Sequence, residues 1–296
     1  MPSERSGWTA GGLEVQGRYV RTNGIRLHLV EAGPKNGPPV VLLHGFPDFS
    51  YGWRRQIPAL AEAGHRVIAP DLRGFNLSDK PRGIRSYELR QVTDDVCGLI
   101  DALELGPVDL VGHDWGGWIS WHLAAWQPHL LRRLAILNMP HPAVMRRFLT
   151  HDLEQLRRSW YVFALQLPWL PEALLRASRM RPLVRALGFG SRGTLHSADE
   201  AEYRRAWSQP GAITAMINWY RAGRREFRRP KDHLRIFTPA LLVWGMRDVA
   251  LSHRMARPSM DYCEKGRLVL IPDASHWLHW EASEEINSLL VGFFEG

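Results

Sequence analysis

Gly112-His113-Asp114-Trp115-Gly116-Gly117 stands between a short apolar run, Val108-Asp109-Leu110-Val111, and a helix-forming run from Trp118 to Trp126. A strand that gives way to a helix within so few residues must turn sharply. The turn brings two backbones nearly into contact, so side chains are excluded two residues either side of its apex. Gly112 and Gly116 meet that demand, and the apex falls on Asp114. A side chain held there projects alone above the end of a sheet, the place a nucleophile takes in a strand-turn-helix elbow. Asp is also a common helix N-cap, but a plain cap does not require glycines on both sides.

Outward from this turn, Val40–Leu43, Val67–Ala69 and Leu134–Leu137 are likewise short and fully apolar, and each leads into a helical stretch. That alternation predicts a mostly parallel central sheet covered by helices on both faces. Nearer the start, Arg18–Arg21 and Ile25–Val30 flank Asn23-Gly24, whose tolerance of positive φ predicts a hairpin, so antiparallel strands open the chain. The alternation stops at Met139-Pro140-His141-Pro142, where two prolines break the local structure. About ninety helix-patterned residues follow before strands return at Pro239–Trp244 and Arg267–Ile271, with a last helix from about His279 to Phe294. The expected architecture is an α/β core of residues 1–140 and 236–296 with a helical lid, residues 141–235, inserted into it.

The chain has 296 residues, 45% apolar and 23% charged, which excludes a disordered, collagenous or disulfide-built protein. Its net charge of +8 rests on 34 arginines against only 4 lysines. Residues 141–235 hold 18 Arg and Lys against 8 Asp and Glu, a net +10, while the rest of the chain holds 20 against 22, a net −2. Within the insertion, Arg146-Arg147, Arg157-Arg158, Arg204-Arg205, Arg224-Arg225 and Arg228-Arg229 punctuate apolar helical stretches, the pattern of solvated helix faces rather than of a nucleic-acid groove. Cys97 and Cys263 have no partner motif, which predicts reduced thiols and neither a disulfide framework nor a zinc site. Met1–Trp8 contains no apolar leader, and no later run approaches the roughly 18 apolar residues of a membrane span; we therefore expect a cytoplasmic protein without membrane insertion.

Two residues complete a candidate constellation with Asp114. Asp248 follows the run Leu241–Trp244, and His276 follows Leu268–Ile271. Both lie just past strand ends, where α/β sheets hold ligands and reacting groups, and their order of nucleophile, acid and histidine is that of elbow hydrolases. His44, His113, His141 and His279 read as ordinary hydrogen-bonded histidines, and Asp248 has capping near Ser252 as a rival use.

From about residue 18 the chain resembles the α/β-hydrolase superfamily and, within it, the soluble bacterial-type epoxide hydrolases. His44-Gly45-Phe46-Pro47 is similar to the family's HGxP motif, and Asp71–Asp79 resembles the loop after the following strand. In the insertion, Ser159–Glu172 resembles the first lid-tyrosine motif through Tyr161, and Asn218-Trp219-Tyr220-Arg221 resembles the second. Leu165 departs from the Phe more usual before Gln166. The acid that some relatives carry after the strand preceding the insertion is Asn138 here, which favours Asp248.

The resemblance implies Asp114 as nucleophile, His276 as general base, Asp248 as the residue orienting it, and Tyr161 and Tyr220 as proton donors to the epoxide oxygen. It further implies an oxyanion hole from the N–H groups of Phe46 and Trp115, and substrate contacts from Trp115, Pro47, Trp160 and Trp219. The implied partners are a small epoxide and water, with no cofactor and no metal, in a monomer or homodimer. A haloalkane dehalogenase would share the Asp elbow and the His-acid pair, and Trp115 could hold its halide, but halide leaves without a proton and needs no phenols. A fluoroacetate dehalogenase would favour Arg at 115, an esterase Ser at 114, and a non-catalytic ligand-binding homologue the loss of some member of the set.

Overall fold

The computed structural model describes residues 8–188, 195–227 and 234–296. The Arg228-Arg229 pair and residues 1–7, on which the reading of the N-terminus rests, lie outside the described residues. Among the described residues nine strands form one sheet: β1 (Trp8–Ala10), β2 (Leu13–Thr22), β3 (Ile25–Ala32), β4 (Pro39–Leu43), β5 (Arg66–Pro70), β6 (Val108–His113), β7 (Leu131–Leu137), β8 (Ala240–Gly245) and β9 (Gly266–Ile271). Their spatial order is β1-β2-β3-β5-β4-β6-β7-β8-β9. The first three strands and the β3–β5 pair are antiparallel, and β5 through β9 run parallel. Asn23 and Gly24 turn the β2–β3 hairpin at φ 43° and 75°, as the dipeptide predicts. β1 carries no signal in the sequence, because three residues are too few to show a period.

The central parallel strands β4, β6 and β8 are buried along nearly their whole length because both faces are covered, whereas the edge strand β9 is largely exposed. Val41, Leu43, Leu110, Ile136 and Leu242 face one core, shared with α2 (Leu89–Ala102), α3 (Trp115–Trp126) and the insertion. Val40, Leu42, Val111, Leu137 and Val243 face the other, closed by α1 (Gln56–Glu62) and the C-terminal helix.

Between β7 and β8 the described residues form seven helices, α4 (Pro142–His151), α5 (Leu153–Arg158), α6 (Trp160–Ala164), α7 (Leu170–Ala177), α8 (Arg181–Gly188), α9 (Ser197–Trp207) and α10 (Ala212–Phe227), a helical insertion of the kind that forms a cap. It is tied to the core by Trp207 Nε1 donating to Pro47 O at 2.7 Å and Tyr203 Oη donating to Asp48 at 2.8 Å. After β8 come α11 (Ala256–Met260), α12 (Leu278–Glu281) and α13 (Ser283–Glu295). The last helix is therefore not continuous from His279: the chain leaves helical geometry at Ala282. The break lets Trp280 Nε1 donate to Gly52 O at 2.8 Å and lets Glu281 accept from the Ser275 amide and hydroxyl, each at 2.6 Å.

Register decides what happens at the sheet's C-terminal edge. Leu43 pairs with Gly112, His113 with Leu137, Leu137 with Val243, and Gly245 with Ile271. The residues that follow these strands, His44–Pro47, Asp114, Asn138, Asp248 and His276, are thereby delivered to one edge.

Candidate active site

Asp114 sits at φ 51°, ψ −120° immediately before α3, and its side chain makes no capping hydrogen bond to the helix's first turn. A non-glycine residue in that conformation is strained, so the turn is not an ordinary N-cap. Close packing enforces it. A Cβ on Gly116 would collide with the Leu43 backbone, one on Gly112 with the Gly116 backbone, and one on Gly45 with Asp114 itself.

The carboxylate thus presented is buried, and its two oxygens differ. Oδ1 accepts the Phe46 N–H at 2.8 Å, and the Trp115 amide also hydrogen-bonds the carboxylate. Oδ2 lies 3.7 Å from His276 Nε2. Burial raises the Asp114 pKa, opposed by His276 and the two amides. The amides of both residues expected to form an oxyanion hole therefore already hydrogen-bond the carboxylate in the resting protein.

His276 Nδ1 is 2.7 Å from Asp248 Oδ2. Burial alone would lower the His276 pKa, but the fields of Asp248 and Asp114 and the Asp248 hydrogen bond outweigh it and raise it to about 9. Asp248 also caps its own loop, with Oδ1 accepting the Ala250 and Leu251 amides at 2.7 and 2.9 Å. The two uses of this residue are compatible because they employ different oxygens.

The two phenols come from helices far apart in sequence and meet over Asp114. Tyr220, on α10, stands edge-on to the rings of Phe46 at 5.0 Å, Trp115 at 5.2 Å and Tyr161 of α6 at 5.8 Å. The Trp115 side chain hydrogen-bonds Tyr220, and the two tyrosines hydrogen-bond each other. Burial pushes both phenols above their usual pKa; Asp114 pushes both further, and Asp248 does so for Tyr161. Both therefore remain protonated at neutral pH. Gln166 Nε2 donates to Val162 O and Tyr220 O, each at 3.0 Å, and Arg221 pairs with Glu172 at 2.6 Å, fastening the first tyrosine motif to the second.

The expected substrate contacts divide. Trp115 and Pro47 lie at the site. Trp219 packs behind it, 5.8 Å from the Trp115 ring, with its indole N–H donated to Arg73 O at 3.0 Å. The expectation for Trp160 is corrected: it is 69% exposed on the outside of the lid. It is the neighbour of Tyr161 on a helix, and a step of one residue rotates a side chain by about 100°, so with Tyr161 directed inward Trp160 faces out.

Several supporting residues escape the sequence reading. Asn138, at φ 44°, donates from Nδ2 to Asp248 Oδ2 at 2.6 Å and accepts the Gly245 N–H at 2.8 Å, so it positions the acid. Gln155 of α5 spans the Ser252 N–H and Ala250 O, each at 2.9 Å, while Arg158 donates to Asp248 O; both hold the acid's loop from the lid. Asn in a left-handed position after a strand was a usable signal, whereas Gln155 and Arg158 carried none. His44 is structural: it accepts the Leu72 N–H on Nε2 at 2.9 Å, which leaves its Nδ1–H to donate to Gly45 O. Among the described residues no cluster of three His, Cys, Asp or Glu is arranged for a metal ion.

Comparison with known proteins agrees with this geometry. Residues 38–283 match the alpha/beta hydrolase fold family. The AB hydrolase superfamily protein YfhM of Bacillus subtilis is 44% identical over 95% of this chain and 98% of its own. Epoxide hydrolase 4 of Homo sapiens is 34% identical over 93% of this chain and 77% of its own. Among solved structures, an epoxide hydrolase of Bacillus megaterium in complex with an inhibitor superposes with a TM-score of 0.88 at 28% identity, covering 94% of this chain and all of that one. Epoxide Hydrolase A of Mycobacterium thermoresistibile gives 0.80 at 29% identity, over 95% and 98%. With an aspartate at the elbow and two phenols above it, the chain belongs to the epoxide hydrolase family of the α/β-hydrolase fold.

Proposed function

We propose that the protein hydrolyses epoxides to vicinal diols through a covalent ester on Asp114. The observation that carries this reading is the pair of hydrogen-bonded phenols from the insertion beside one buried carboxylate. An epoxide oxygen leaves as an alkoxide, which is too basic to depart unaided, and a phenol near it supplies the proton. Oδ2 of Asp114 attacks a ring carbon, the carbon–oxygen bond breaks, and the electron pair left on oxygen takes a proton from Tyr161 or Tyr220.

Esterification abolishes the negative charge on Asp114, one of the fields that raise the His276 pKa. The imidazolium becomes more acidic at that moment and returns a proton to the phenolate. Neutral His276, held by Asp248, then takes a proton from water. The hydroxide adds to Cγ of Asp114, and the oxyanion forms at Oδ1, where the Phe46 and Trp115 amides receive it, a contribution of about 3 kcal/mol per donor. Collapse expels the diol oxygen, which takes the proton of the new carboxyl. Asp114 is again ionised and His276 again protonated.

A dehalogenase reading fits less well. The indole that would hold halide is engaged with Tyr220, and that chemistry leaves both phenols without a task. The test is turnover of aliphatic, styrene-type and fatty epoxides beside matched haloalkanes. Diol formation with no halide release is expected, and halide release without diol formation would overturn the reading. The lid expectation, residues 141–235 over a core of 1–140 and 236–296, is retained within this proposal, as is action on a small molecule and water alone.

A further inference from the structure

The lid has an outer face that the reaction does not use. Leu153 and Leu156 of α5, Trp160 and Phe163 of α6, Leu167 of the turn that follows and Leu170 at the start of α7 are all exposed, although their spacings of three and four are those of residues that a continuous helix would bury. Leu153 is 75% exposed, and Trp169, 71% exposed, is held outward at φ 49°, a conformation unfavourable for a bulky residue. Exposure of so many large apolar side chains on consecutive short helices of a globular protein marks an interaction surface.

Charge identifies the partner. Between residues 141 and 188 the acids are Asp152, Glu154 and Glu172, and all are neutralised, by Arg254 at 2.7 Å, Arg158 at 2.6 Å and Arg221 at 2.6 Å. Arg157, Arg176, Arg181 and Arg185 on the same helices are exposed, and among the described residues none has a carboxylate partner. Residues 141–188 thus carry 8 arginines against 3 acids, a net +5, and four of those arginines are exposed on the helices that bear or follow the apolar residues. Two copies of such a face repel each other. Trp, Phe and Leu bordered by unpaired arginines instead match the boundary of an anionic bilayer, with apolar side chains at the level of the headgroups and cations against lipid phosphate.

We propose that the outer face of α5–α8 docks on an anionic lipid surface, lying on the bilayer with the helix that carries Tyr161 turned toward it. No helix among the described residues is long and apolar enough to cross a membrane, so the contact is peripheral.

The test is sedimentation of the full chain with vesicles of pure phosphatidylcholine and with vesicles about one third phosphatidylglycerol, at low and high salt. Binding to the anionic vesicles, weakened by salt and at least about tenfold weaker to the neutral ones, is expected. Arg176→Gln with Arg181→Gln should weaken it roughly 25-fold, about fivefold for each charge removed at a membrane surface. Leu153→Ser, Phe163→Ser and Trp169→Ser together should weaken it at least tenfold. Thermal melting establishes that both variants are folded. Failure of the folded wild type to bind the anionic vesicles, or binding by either variant equal to wild type, overturns the proposal. So does a wild-type homodimer in sedimentation velocity that the three serine substitutions dissociate, which would assign the stripe to a second copy.

Discussion

Replacing Tyr161 and Tyr220 together by Phe is expected to lower epoxide turnover by roughly three to four orders of magnitude, the full contribution of a positioned general acid. Both rings are kept, the one at 220 edge-on to Phe46 and Trp115 and the one at 161 edge-on to the ring at 220, so the loss isolates the hydroxyls. Either single variant should lose less, since each phenol lies within hydrogen-bonding reach of the other and can take over part of its role. The measurement is kcat/KM for one epoxide in the two single variants and the double variant, with melting temperatures as the check on folding. Turnover of the double variant equal to wild type would remove the phenols from the mechanism and return the site to the dehalogenase reading.

The second large effect falls on the other half of the reaction. His276→Gln should open about one equivalent of epoxide and then stall, with steady-state turnover down by about 10⁴-fold or more. Ring opening needs Asp114 and a phenol, both of which remain; ester hydrolysis needs a base that Gln cannot supply. Intact-protein mass after mixing with substrate should rise by the mass of one epoxide. Continued turnover with no adduct would contradict the division of labour between Asp114 and His276.

Much of this arrangement was legible because it depends on local rules. The elbow needs glycine where backbones touch, and Gly112 and Gly116 are found where a Cβ would strike the Gly116 and Leu43 backbones. The central strands β4 and β8 are runs of apolar residues because both of their faces are covered, and the hairpin follows from Asn23-Gly24. What the sequence withheld depends on direction. Tyr161 and Trp160 are adjacent in the chain, and no pattern of spacing separates the inward residue from the outward one. The continuous pattern from His279 to Phe294 hides a break at Ala282, whose cause is tertiary: Trp280 and Glu281 have partners in the core, at Gly52 and Ser275. Gln155 and Arg158 reach the acid's loop from the lid, a contact between segments some ninety residues apart that only the fold brings together. Asn138 lies between these cases, since it was noticed for the acid it lacks rather than for the acid it holds.

The covalent ester on Asp114 is the central claim, and the origin of the oxygen atoms tests it most directly. In the proposed sequence the diol takes one oxygen from the epoxide and the other from Oδ2 of Asp114, while the oxygen of water enters the carboxylate. A single turnover with enzyme in excess over substrate, run in heavy-oxygen water, should yield unlabelled diol and a labelled Asp114-containing peptide in mass spectrometry. Heavy oxygen in that first diol, with Asp114 unlabelled, would show water attacking the epoxide directly and contradict the account.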